Sequence, residues 1–415
     1  MAIREVFDIP KRYKTWSFAL IGIGVLSLII GFIMYGAGGE GEEGIHHKTR
    51  FWATLLHNSV YFLLVVNASM FFVAVTSLAW GGWQLAFRRI PEAIGAAVPY
   101  LGGFALVVLI AIVAGGHHMT HIYHWTDNEA VQNDSLLKGK AGFLNPTFYI
   151  VWTILSIALW SFLGYKLRRL SYEIDARGLE TAEEGRRYIF RNTVWAALFL
   201  VWFGLTVMSV TPWLWLMSID AHWYSTMYSW FTFASTWQPG LALIIIFVVY
   251  MKNNGYLSYT TEEHVHDLGK FLFAFSIFWA YLWFSQFMLI WYANIPEETV
   301  YYQNRVKGAY GGIFWFSFLI NFLAPLLILM RRGTKRNYGT ITIISLIVIF
   351  GQWLNFHQMV FASVAPDHVE MNLFDFGVAL GFIGSIMLIV GNVLSKHPLE
   401  AKNHPFMKES IIHHT

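Results

Sequence analysis

Residues 266–302 read HDLGKFLFAFSIFWAYLWFSQFMLIWYANIPEETVYY. Between Gly269 and Asn294 the only charge is Lys270. At ~1.5 Å of rise per residue, a run of this length crosses the ~30 Å hydrocarbon of a bilayer as a helix. It also carries polar groups. Tyr281, Ser285, Met288 and Tyr292 fall at i, i+4, i+7 and i+11, one helical face, with Gln286 beside it. An amide inside lipid must find a partner, so the reading predicts that this face looks toward other helices.

Composition extends that reading to the whole chain. Apolar residues make up 56% and charged residues 13%, about half the ~25% of a soluble domain. Ten apolar spans follow, near 16–36, 53–80, 91–115, 146–166, 190–217, 228–251, 268–294, 310–331, 338–361 and 372–395. The expected fold is an all-α integral membrane protein with ten transmembrane helices. The first run is too long for a signal-peptide core and is read as a retained helix. Nothing resembles a nucleic-acid motif. Cysteine is absent, which excludes disulfides, Cys-held iron–sulfur clusters and covalent c-type haem in this chain.

Lys and Arg set the orientation. With alternate loops assigned to one side, that side holds 22 of the 28 basic residues. The other holds only Lys48, Arg50, Lys138, Lys140, Arg305 and Lys307. The positive-inside rule then places both termini in the cytoplasm. Residues 167–189 read as a charged amphipathic helix on the inner side. Trp213, Trp215, Trp223, Tyr224, Tyr228 and Trp230 read as an outer aromatic belt, with Trp80 and Trp83 as its inner counterpart.

Against that topology the polar residues gather in the outer half. His57 lies in span 2, Asp220 and His222 just past span 5, Gln238-Pro239 in span 6, and Gln286 in span 7. Gln352, Asn355, His357 and Gln358 lie in span 9, and Asp375 at the start of span 10. Ionisable groups in a bilayer are costly and mark ion or substrate routes more often than chance. A His near a carboxylate is the usual means of handling protons near neutral pH. His57, Asp220, His222 and His357 are therefore the candidate proton-handling or quinone-facing residues. Tyr281, Ser285, Gln286, Asn355, Gln358 and Asp375 are expected to line the route. The plain alternative is that such groups only pair across helices or reach water. His117, His118, His121 and His124 have metal-like spacing but lack a convincing ligand context, so no metal site is expected there.

The block at 266–302, with WLWLMSIDAHWYSTMYSWF and LLHNSVYFLLVVNASMFF, resembles the ActF family. That family is the second polysulfide-reductase-like (NrfD-like) membrane subunit of bacterial alternative complex III, a quinol:cytochrome c oxidoreductase. The resemblance covers nearly the whole chain. It implies two four-helix bundles, here spans 2–5 and 6–9, plus peripheral helices. It implies an inner-membrane complex whose partners are a multihaem cytochrome c subunit, an iron–sulfur subunit, a monohaem cytochrome c, a sister ten-helix quinol-binding subunit and lipids. Haem c and iron–sulfur clusters would sit in those partners. This chain would bind no redox centre itself, and a quinone is the one further ligand the resemblance admits. Two rivals fit the same spans: a proton-coupled secondary transporter, and a b-haem anchor using His57 and His357.

Overall fold

Ten helices long and apolar enough to cross a bilayer dominate the computed structural model, which describes residues 5–39 and 41–414. They are α1 (Lys11–Gly36), α2 (Glu42–Leu78), α3 (Arg89–Met119), α4 (Pro146–Arg177) and α5 (Ala182–Ile219). They continue as α6 (Met227–Asn253), α7 (Glu262–Ala293), α8 (Gly311–Leu329), α9 (Tyr338–Val364) and α10 (Leu373–Leu394). Each lies close to a span expected from hydropathy. No strand occurs among the described residues.

The packing order is simple. α2 contacts α3 and α5, and α4 contacts both α3 and α5. α6 contacts α7 and α9, and α8 contacts both α7 and α9. α2 and α6 also meet each other and stand at the centre. Within their most apolar stretches 89% of α2 and α6 residues are buried, against 17% for α1. A Cβ on Gly240 of α6 would fall 2.7 Å from the Ala68 methyl of α2. α1 lies on α10, where Gly24 and Gly381 bring the two backbones together and a Cβ on Gly24 would sit 2.4 Å from Gly381 Cα. Small residues allow such contact between helices that gain no hydrophobic drive from lipid.

Helix ends follow the local chemistry. Thr181 and Glu184 form a capping box at the start of α5. Asn372 and Asp375 form another at the start of α10. Pro239 lies inside α6, where its ring leaves the Ser235 carbonyl without its helical N–H partner. α8 widens into a π turn at Leu319–Leu323, around Asn321.

Three expectations change here. The stripe Tyr281, Ser285, Met288 and Tyr292 points away from the other helices: Tyr281 is 61% and Tyr292 83% exposed. α7 instead turns Trp279, Trp283, Gln286 and Ile290 inward. Tyr, Ser and Met tolerate a lipid-facing position, so their spacing does not identify the protein-facing side. Residues 167–189 do not form a separate helix. α4 runs on to Arg177, breaks at Gly178 (φ 76°), and α5 begins at Ala182. The outer belt is only partly a belt, since Trp215, Trp223 and Tyr228 are buried while Tyr224 and Trp230 remain exposed.

Candidate functional site

The buried polar residues toward the basic-poor face form two neighbouring clusters on opposite sides of α9. The first joins α2, α9 and α10. Arg50 grips Asp375 with both terminal nitrogens (3.1 and 2.5 Å) and meets Glu370 through Nε at 2.9 Å. Thr54, one turn along α2, donates to Asp375 at 2.9 Å and also contacts Arg50. Phe361 lies under the guanidinium, 4.6 Å from ring centre. Asp375 also accepts from the Asn372 N–H at 2.9 Å, capping α10. It is thus tied to an ion pair and a helix cap, and is not a free lining group.

One turn deeper, His57 and His357 meet edge to face with ring centres 5.4 Å apart. His57 Nε2 faces the Trp353 carbonyl at 3.0 Å, and His357 Nε2 faces the Glu370 carbonyl at 3.0 Å. A ring nitrogen against a carbonyl must carry the hydrogen, so each neutral ring is the Nε2–H form. Each Nδ1 is then a buried acceptor without a partner. The rings touch directly, and their Nε2 atoms are committed to backbone. They do not offer two nitrogens to a common haem iron.

The second cluster is a column of carboxamides among α6, α7, α8 and α9. Gln238 Nε2 donates to the Asn321 carbonyl at 2.7 Å and to Ser276 at 2.8 Å. Gln352 donates to Gln238 Oε1 at 2.5 Å. Asn355 donates to Gln352 Oε1 at 3.2 Å, and Gln358 donates to Asn355 Oδ1 at 3.0 Å. Ser235 accepts from both Asn355 and Trp279. On α9, residues 352, 355 and 358 therefore face α6 and α7, while Trp353 and His357 face α2.

The column ends at a cavity of about 10 Å³, room for one water molecule, lined by Gln286, Gln358, Asn355, Arg305, Tyr301 and Tyr302 among others. Gln286 Nε2, Gln358 Oε1 and Arg305 Nε are all buried there without a partner. Beyond it, Arg305 donates to Ser363 Oγ at 2.7 Å, and Ser363 donates to Asp220 at 2.5 Å. Arg305 lies 3.6 Å from Asp220, and its guanidinium stacks on Tyr301. The Arg305 side chain is 2% exposed and that of Asp220 29%. The chain of polar contacts thus runs from Asn321, midway along α8, to a carboxylate that reaches solvent.

The ten residues singled out in the sequence therefore separate. His57 and His357 come together, beside Asp375. Asn355, Gln358 and Gln286 share the column, with Asp220 at its mouth. Tyr281 and Ser285 lie on the outward face of α7. His222 sits on the surface and pairs with Asp134 at 2.5 Å. That contact holds the Asp134 carboxyl below the usual carboxylate range, with the hydrogen bond from His222 the largest cause. His117 and His121 stack at 4.4 Å, and no metal-holding group of His, Asp and Glu occurs among the described residues.

Two residues at the centre of these clusters are not among those ten: Arg50 and Arg305. Both are buried cations on the side that is poor in basic residues. A third buried group lies at the opposite end. Arg88 and Arg89 clasp Glu92 at 2.8 and 2.7 Å, and Arg89 also pairs with Asp175. No protein-family model matches the chain, and no curated protein matches it.

Proposed function

We propose that this chain is a non-redox membrane subunit of a quinol:cytochrome c oxidoreductase of the alternative complex III kind, and that its α6–α9 half conducts protons. It would sit in a bacterial inner membrane with both termini cytoplasmic and the Asp220 end outward. α2–α5 and α6–α9 would be the two four-helix bundles of that family, with α1 and α10 peripheral. The pairwise packing supports this grouping. The partners would be the multihaem and monohaem cytochromes, the iron–sulfur subunit and the sister quinol-binding subunit.

One observation carries the proton reading: the column of polar contacts from Asn321 to Asp220, with one gap, between Gln358 and Arg305, that has space for a single water. Carboxamides do not titrate at neutral pH, so their task is to hold and orient that water. Asp220 is the carboxylate at the mouth, part-exposed to solvent, and Arg305 faces it at 3.6 Å. A quinone head group needs a pocket of several hundred Å³, and the cavity beside Gln286 is far smaller. That observation favours protons over quinone at this position.

The test uses the purified complex. Asp220→Asn and Gln286→Leu variants should assemble with normal haem content and move fewer protons per electron. Unchanged turnover and proton yield in both well-assembled variants would leave the column as a brace between helices. Lower turnover with an unchanged proton yield would favour a quinone instead. If the chain purifies alone without cytochromes under mild extraction, the assembly reading fails.

A further inference from the structure

A groove opens on the lipid-facing side of α3, α4 and α10, at the end rich in Lys and Arg. It is a cavity of about 730 Å³, walled by Pro99, Phe162, Leu388 and Val393, among others. Arg168 and Lys396 stand at its basic end. It continues into a second, more apolar cavity of about 330 Å³ that shares Tyr100 and Ile389 and ends near Val378. From Val378 to Val393 along α10 the joined groove is ~22 Å long at ~1.5 Å per residue. One leaflet of hydrocarbon is about 15 Å deep, half of ~30 Å. The groove can therefore hold an acyl chain at full length.

Its charge is as telling as its shape. Several basic residues nearby have acidic partners: Arg169 has Glu173, Arg88 and Arg89 have Glu92, and Lys402 has Glu5, while Lys166 lies over the rings of Phe162 and Trp195. Arg168 and Lys396 have none among the described residues, and no Asp or Glu lines the groove. Arg168 Nε is buried with no hydrogen-bond acceptor. A cation beside an apolar groove at the cytoplasmic leaflet matches the phosphate of an anionic lipid.

The geometry points to a built site for one anionic glycerophospholipid, its phosphate between Arg168 and Lys396 and an acyl chain laid along α10. Asn392 and Ser161, also in the wall, are placed to meet the glycerol and ester oxygens. This site is separate from the Asp220 column and stands whether or not that column carries protons.

The test is native mass spectrometry of the purified full-length protein after delipidation, with phosphatidylglycerol or phosphatidylcholine added back. Wild-type protein should keep one phosphatidylglycerol in preference to phosphatidylcholine. Arg168→Gln with Lys396→Gln should weaken that retention roughly 25-fold, because each basic residue near the headgroups contributes roughly fivefold. Arg168→Lys with Lys396→Arg should keep it. Equal retention of the two lipids by wild type would overturn the proposal, and so would unchanged phosphatidylglycerol retention in the double Gln variant. Recovery of a prenyl quinone as the retained molecule would overturn it too. Should the Gln variant fail to fold, the wild-type comparison of the two lipids still decides.

Discussion

Arg50 holds two carboxylates that differ in what surrounds them. Asp375 is fully buried and also caps α10, whereas the Glu370 side chain is 21% exposed. Removing one partner of a buried pair leaves the other charge uncompensated and costs about 3 kcal/mol. Water can reach and in part replace a partly exposed partner, at a cost of roughly 1 kcal/mol. Asp375→Asn should therefore lower the thermal midpoint well beyond Glu370→Gln. Equal losses would show that Glu370 matters to Arg50 as much as Asp375 does. A second substitution tests the column through its neighbour. A Cβ at Gly351 would lie 2.4 Å from Asn321 Oδ1 and crowd Ile320 as well. Gly351→Ala should cost about 1–3 kcal/mol by overpacking and shift the Asn321 carbonyl that anchors Gln238. On the proton reading its proton yield falls, while Gly333→Ala, with open space around it, should leave both quantities unchanged.

At the scale of elements, the C-terminal segment behaves as a clasp. Ser410 donates to the Trp83 carbonyl at 2.7 Å and accepts from the Ala86 N–H at 3.0 Å. Asn403 binds Asp175, and His404 packs edge-on against Tyr188. Burial first, then the nearby Arg88 and Arg89, pushes the His404 imidazole well below its ordinary range. Released, His404 titrates near ~6.5. Below that pH the released segment binds a proton that the docked one refuses, so docking weakens as pH falls. Proteolysis near residue 404 should quicken between pH 7 and pH 5.5, and His404→Gln should flatten that dependence. A profile that is unchanged in the variant would remove His404 from the clasp. The elements themselves were legible because each span is a long apolar run set off by polar or charged residues. The faces were not legible. In lipid both sides of a helix are apolar, so periodicity says little, and the tyrosine–serine stripe of α7 misled. Nor could sequence pair Arg50 with Asp375 across 325 positions. The available signal was a different one: six basic residues broke the charge rule, and two of them proved to be buried.

The whole molecule carries its charge asymmetry into a topology that can be measured. A reporter active only in the cytoplasm, fused after Thr415, should function, and a periplasm-dependent one at the same place should not. The opposite pair of results would invert the proposed direction of the Asp220 column. The basic end also holds its own buried network, Arg88, Arg89, Glu92 and Asp175, which joins α3 to α4 and is screened from water. Breaking it with Glu92→Gln should destabilise by about 3 kcal/mol without altering proton yield in whatever fraction folds. A change in yield at normal stability would mean that the conducting path reaches this end as well.

The glycine seam between α1 and α10 sets an order of events during synthesis. The ribosome delivers α1 first and α10 last, and at ~5–20 residues per second the interval between Gly24 and Gly381 is about 20–70 s. Through that time the notch on α1 has only lipid, or an insertion factor, to fill it. The final helix is what closes the seam. A nascent chain that stops short of α10 therefore displays an open notch to the membrane's proteases, and a finished one does not.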